Sequence, residues 1–359
     1  MDYTQITYEP DETDKFVTVT MNRPEKLNAL GDTMLDELDD AVKRASADKN
    51  VNALILTGSG RAFSTGFDLQ SDNFEMGIEA WRENVLANMR RFYALWSAPI
   101  ATIAAVNGYA LAGGMELMMC CDLAIAAEDA RIGEPEIRHA SAPPTLMMPW
   151  TAPIRHVRYL MFTGDMISGE EAARMHIVNQ AVPASQLMGA ARHLARKVAR
   201  IPVPGIKFNK LAVNNAQLAS GMYNAWLYNA ETTAQLHSTP EGADWFRLLF
   251  EKGLKEFLTK REAPFEDLDR GLRAGRLRRN CTVATAPITI AAPTIFCGDS
   301  DSPSKSPARE TVKTDSIAWA MDVRTGPIRV RALSARKTPT PLKAAMPPKA
   351  ATPSSVCGN

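Results

Sequence analysis

Two carboxylates and two glycines carry the chemistry this sequence could do. Glu116 lies in "ALAGGMELMMCCDLA", three residues after Gly113 and two after Gly114. Its neighbours Leu117, Met118, Met119, Cys120 and Cys121 are residue types that favour interiors. An unpaired charge among them costs several kcal/mol, so this carboxylate needs a partner or a task. Glu136 follows twenty residues later, in "GEPEI". Two carboxyl groups in one pocket have their pKa values pushed apart, which suits one to act as acid and the other as base. Taken singly, a Glu in the first turn of a helix is favourable without any function, and a Glu beside Pro135 is ordinarily solvated. Glu134 is equally ionisable and stands two residues from Glu136.

The glycines supply the complementary half. A Gly-Gly pair opening a helix lets the main chain approach a ligand closely, and the first helical N–H groups lack internal partners. A carbonyl oxygen set against the Gly113 N–H would be stabilised as it gained negative charge. Gly66, in "FSTGFD", permits a tight turn that could aim the Phe67 N–H at the same point. One such donor contributes about 3–4 kcal/mol in a transition state.

These groups need scaffolding, and the chain supplies an alternation of strand, loop and helix. Residues 15–21 alternate Val17, Val19 and Met21 with threonines, the period of a half-buried strand. Residues 32–46 carry Met34, Leu35, Leu38 and Val42 at helical spacing, with Asp32 expected as the N-cap. "VNALILTG" is the next strand. Trp81, Val85, Met89, Phe92 and Trp96 form one helical stripe, the pattern of a core face. "PIATIAAVNG" reads as a strand, 110–124 as a buried helix and "DLAIAAE" as a strand. Ser168 and Glu171 form an S-x-x-E capping box. Helices are expected over 185–200 and 206–262. The pattern is α/β.

Other chemistries find no support. There is no G-x-G-x-x-G after a strand, no G-x-x-x-x-G-K-[ST], no H-E-x-x-H and no G-x-S-x-G. His139, His156, His176, His193 and His237 are scattered without metal-ligand spacing. His139 is near enough to Glu136 to tune it, though a loop histidine is more often a hydrogen bonder. No run of about 18 apolar residues occurs, which excludes a membrane-spanning helix of the usual kind. The acidic N-terminus lacks an apolar stretch, which argues against a secretory signal. Five cysteines in 359 residues make no disulfide framework, and a reducing cytoplasm fits them.

The net charge of +1 conceals an asymmetry. Residues 271–359 carry 14 Lys/Arg against 5 Asp/Glu and hold 10 of the 23 prolines. That segment reads as a disordered basic tail, unable to bury enough apolar surface to order itself. Nucleic acid is not an expected partner.

Four segments resemble the crotonase superfamily, specifically its enoyl-CoA hydratase/isomerase family. They are "MNRPEKLNAL", "GRAFSTGFDL", "NGYALAGGMELMMCCDLAIAAEDARIGEPEI" and "FTGDMISGEEA", and they occur in family order. The resemblance spans about residues 5 to 268. It implies an α/β spiral of ββα repeats over 1–200. A helical region over 201–270 would serve trimerisation, and the tail over 271–359 lies outside the likeness. It further implies trimers, often paired into hexamers, and no cofactor beyond the CoA of the substrate. Phe67 and Gly113 match the oxyanion-hole positions. Glu116 and Glu136 match the two hydratase glutamates: the first activates the water that attacks C3, the second exchanges the proton at C2. Lys26, Asp68, Leu69, Phe257 and Lys260 fall where CoA is contacted, the last two in a segment that reaches a neighbouring subunit.

One segment departs from the family pattern. After Glu136 relatives carry a glycine-rich loop, whereas this chain reads "IRHASAPPTLMMPW". Pro143, Pro144 and Pro149 have fixed φ angles in place of flexible glycines. Leu146, Met147, Met148 and Trp150 would form an apolar wall or a helix core. Hydration of a 2-enoyl-CoA is the expected activity. Double-bond isomerisation, dehydration, hydrolysis and a non-catalytic binding role remain alternatives.

Overall fold

The computed structural model describes residues 2–69, 77–266 and Leu268. The segment 271–359, and with it the expected disordered tail, lies outside the described residues.

The chain opens with an antiparallel pair, β1 (Ile6–Pro10) and β2 (Phe16–Met21), followed by helix α1 (Asp32–Ala47). Three units of a longer and a shorter strand follow. β3 (Ala53–Gly58) and β4 (Ala62–Ser64) lead to α2 (Ile78–Trp96). β5 (Ala101–Val106) and β6 (Tyr109–Leu111) lead to α3 (Gly113–Met119). β7 (Leu123–Ala127) and β8 (Arg131–Gly133) lead to a 3-10 turn, Pro135–His139, and then α4 (Ile154–Thr163). β9 (Ile167–Ser168), α5 (Gly169–Arg174) and β10 (Gln180–Val182) close the spiral. Four helices complete the described chain: α6 (Leu187–Ala199), α7 (Val203–Ala219), α8 (Met222–His237) and α9 (Pro240–Glu262).

The longer strands assemble in the order β1-β2-β3-β5-β7-β10, parallel throughout except for β1 against β2. The shorter strands form a second sheet, β4-β6-β8-β9, with only the β8–β9 pair antiparallel. Each ββα unit thus adds one strand to each sheet, which is the spiral the resemblance implied.

The six-stranded sheet is buried on both faces, as parallel sheets must be. Phe16, Ile55, Ile103 and Ile125 point to one side, where Ala191 and Ala195 of α6 let that helix come close. Val17, Val19, Leu54, Leu56 and Val106 point to the other, into the main core with α1 and α2. The stripe Trp81, Val85, Met89, Phe92 and Trp96 is buried throughout. The capping box forms as expected: Ser168 Oγ accepts from the Glu171 N–H at 3.1 Å, and the Glu171 carboxylate accepts from the Ser168 N–H at 3.0 Å.

Two local expectations are corrected. Gly31, not Asp32, is the N-cap of α1; Asp32 is the first helical residue, where its charge still favours the helix dipole. Residues 110–124 are not one helix. Only Gly113–Met119 is helical, because Tyr109–Leu111 is drawn into the second sheet between β4 and β8.

Candidate active site

The site grows from the ends of three adjacent strands. β4, β6 and β8 are parallel neighbours, so the segments that leave their C-terminal ends emerge side by side. Phe67 comes three residues after β4, and Gly113 and Glu116 come two and five after β6. Glu134 and Glu136 come one and three after β8. Residues up to 69 positions apart in sequence are thereby gathered at one edge.

Glycine lets the first two segments meet. Gly66 has φ +91°, and a Cβ there would sit 2.9 Å from the Ala112 Cβ and 3.0 Å from the Gly113 nitrogen. A Cβ on Gly114 would lie 2.3 Å from the Ser64 carbonyl oxygen. Phe67 lies in a β-bridge with Leu30, whose N–H donates to the Gly66 carbonyl at 2.8 Å and whose carbonyl accepts from Asp68 N–H at 3.2 Å. Successive peptide groups in extended chain face opposite ways, so the Phe67 N–H points away from Leu30. The Gly113 N–H opens α3 and has no carbonyl within its own helix. Ala112, just before it, holds φ 52° and ψ −130°, a strained setting for a residue with a Cβ, and its N–H is fixed to the Gly133 carbonyl at 2.9 Å.

Three carboxyl groups are buried here. Glu116 and Glu134 are wholly inaccessible and Glu136 is 6 % exposed. Thr145 Oγ1 donates a hydrogen bond to Glu116 Oε2, and the Met147 N–H donates to the same oxygen at 3.4 Å. Among the described residues Oε1 of Glu116 has no hydrogen-bond partner. Burial is the main cause that pushes the Glu116 carboxyl up to about 8; the charge of Glu136 adds to it, and Thr145 and Met147 oppose it. Burial likewise raises Glu136, against the hydrogen bond from Glu134 and the charge of Arg261 on α9. Glu134 is raised furthest from the ordinary carboxylate range, by burial and then by Glu136 and Glu116. Burial raises all three, so they cannot all be ionised together at neutral pH.

Thr145 was not singled out from the sequence. Its signal was present: it is the one polar side chain in 142–150, "APPTLMMPW". Of the expected apolar wall, Met147 and Met148 belong to the main core, and Trp150 packs against it half-buried. The loop is pinned from α8, where Asn229 Nδ2 donates to the Pro143 carbonyl at 2.7 Å and His237 Nε2 meets Ser141 Oγ at 2.8 Å.

His139 is neither a loop hydrogen bonder nor exposed. It is buried edge-on against Phe257, with ring centroids 4.9 Å apart, and near Trp245 at 6.4 Å. Burial first, then Arg261 and His237, depress it to about 3, so it is neutral. Phe257 is fully enclosed by its own chain, so in this structure it faces His139 rather than outward. Lys260 Nζ lies 5.6 Å from the centre of the Trp245 ring. Asp68 pairs with Arg23 at 3.3 Å, Lys26 is exposed on the turn Pro24–Lys26, and Leu69 is half-buried. Among the described residues no cluster of His, Cys, Asp and Glu could hold a metal ion.

A two-sheet spiral of ββα units with buried glutamates at the strand ends defines a crotonase-type protein. The family model for enoyl-CoA hydratase/isomerase matches residues 11–269, and the chain belongs to that family. It is 33% identical over 243 residues to a short-chain-enoyl-CoA hydratase of Clostridium acetobutylicum, covering 66% of this chain and 92% of that protein. It is 31% identical to a crotonyl-CoA hydratase of Syntrophomonas wolfei, covering 74% and 99%. Among solved structures, an enoyl-CoA hydratase/isomerase from Xanthobacter autotrophicus Py2 is similar with TM-score 0.70 and 33% identity, over 74% of this chain and 99% of that one.

Proposed function

We propose that this chain is an enoyl-CoA hydratase, adding water reversibly across the double bond of a 2-enoyl-CoA. The observation that carries the reading is the pair Glu116 and Glu136, buried beside two backbone N–H groups at the ends of adjoining strands. Hydratases of Clostridium acetobutylicum and Syntrophomonas wolfei at 33% and 31% identity support it.

In this mechanism the thioester oxygen accepts hydrogen bonds from Phe67 and Gly113. The partnerless Oε1 of Glu116 takes a proton from water as its oxygen bonds to C3. The C2–C3 π pair moves toward the thioester as an enolate, and Glu136 delivers a proton to C2. Each acid or base role contributes about 10²–10⁴-fold. Lys26, Asp68, Leu69, Phe257 and Lys260 are the proposed CoA contacts, and no further cofactor is required. Phe257 would contact CoA only if α9 shifted, since its own chain covers it.

A trimer, or a pair of trimers, is proposed through the helical region 201–270. Supporting it, Val203, Phe208, Leu211 and Val213 of α7 are exposed. Among the described residues no helix is long and apolar enough to cross a membrane, which accords with the cytoplasmic location we propose. Product analysis tests the activity. A 2-enoyl-CoA should yield the 3-hydroxyacyl-CoA; a shifted double bond or a free acid would replace hydration by isomerisation or hydrolysis.

A further inference from the structure

The hydratase reading uses two carboxyls, yet the pocket contains three. Glu134 is fully buried, and among the described residues neither of its oxygens has a conventional hydrogen-bond partner. It caps the turn that carries Glu136, with φ −117° and ψ 66°, and only Pro135 separates the two. Their carboxyl groups are within hydrogen-bonding reach of each other. A buried carboxyl with no other partner is stable there only when protonated, or when it shares a proton with a neighbour.

We propose that Glu134 is a positioning residue that shares one proton with Glu136, so that the two act as a single carboxyl pair. Glu134 donates to Glu136, fixing the orientation of the carboxyl that serves C2. When the shared proton moves, the O–H bond on Glu134 breaks and one forms on Glu136, with no net change in the pair. The other charged groups facing the pair are Glu116 from α3 and Arg261 from α9. Arg261 is held by Glu262 at 2.7 Å. Arg138, on the same turn, is committed to Asp165 at 2.7 Å and Glu262 at 2.6 Å. None of these replaces Glu134 as a donor to Glu136.

Removing the last proton from such a pair sets two negative charges side by side, so it leaves at higher pH than from a lone Glu136. The proposal rests on the hydratase reading for its kinetic test. Glu134→Gln keeps the shape and an N–H donor but cannot share a proton. Its alkaline limb of kcat/KM should move down by at least one pH unit, a tenfold loss above that limb. A profile superimposed on the wild type overturns the proposal. Carbon-13 NMR of the glutamate carboxyls in the full chain tests the pairing without turnover. Two coupled steps should appear for residues 134 and 136 in the wild type and a single step for Glu136 in the variant. Independent titration of Glu134 and Glu136 in the wild type overturns it, whatever reaction the enzyme proves to catalyse.

Discussion

Glu116 is stabilised as an ion by little more than one hydroxyl and one long N–H contact, and burial outweighs both. Its folded carboxyl titrates near 8, whereas an unfolded one titrates near 4.5. Between those values the folded state binds the extra proton, so its contribution is fully present below about pH 4.5 and is lost as pH rises toward 8. The loss runs at roughly 1.4 kcal/mol per pH unit. Glu116→Gln should therefore gain melting temperature over the wild type at pH 8 and much less at pH 5. Equal gains at both would contradict the burial argument. Thr145→Val removes the hydroxyl donor at a cost of about 1–3 kcal/mol to the ionised form. It should lower kcat roughly tenfold and move the Glu116 titration upward. Glu116 was legible in the sequence because its spacing from Gly113 and Gly114 is local, and Glu136 because it lies at the end of the third of the four ordered motifs, twenty residues on. Thr145 was not, because it reaches Glu116 across 29 residues of chain.

The elements legible in the sequence are those long enough to show a period. The stripe on α2 and the alternation in β2 are of that kind. β4, β6 and β8 have three residues each, too few for any pattern, yet their parallel order is what gathers the site. Contact between their ends is close enough to test. Gly114→Ala would place a Cβ 2.3 Å from the Ser64 carbonyl, so β4 and α3 must part. The expected result is lower thermal stability together with loss of activity; a wild-type variant would contradict the packing. The docking of α8 and α9 depends on buried neutral histidines. His139 is depressed to about 3 and His237 to about 4, in both cases chiefly by burial, from an ordinary 6.5. The unfolded chain binds those protons and the folded one does not. Their contribution is therefore complete above about pH 6.5 and is lost as pH falls toward 4. Melting temperature should drop over that interval, and less steeply in His139→Leu.

At the scale of the whole molecule, the family match ends at residue 269, close to the composition change read near Gly271. Charge and proline content register that change in composition because they are summed over many residues. The spiral itself was not visible in periodicity, which showed only an α/β alternation; the ordered set of four motifs specified it. A chain ending at Arg270 should retain full activity if the catalytic unit ends there. A large loss on truncation would give the basic segment a part in folding or catalysis.

The central claim is that Glu116 activates water toward a conjugated thioester. The most direct measurement is the loss of conjugated-thioester absorbance, over a panel of 2-enoyl-CoAs from short to aromatic, with wild type and Glu116→Gln side by side. The wild type should consume at least one member and so define its acyl class, while the variant loses about 10²–10⁴-fold in rate. Equal turnover by both proteins, or none by the wild type on any member, would contradict the hydratase mechanism.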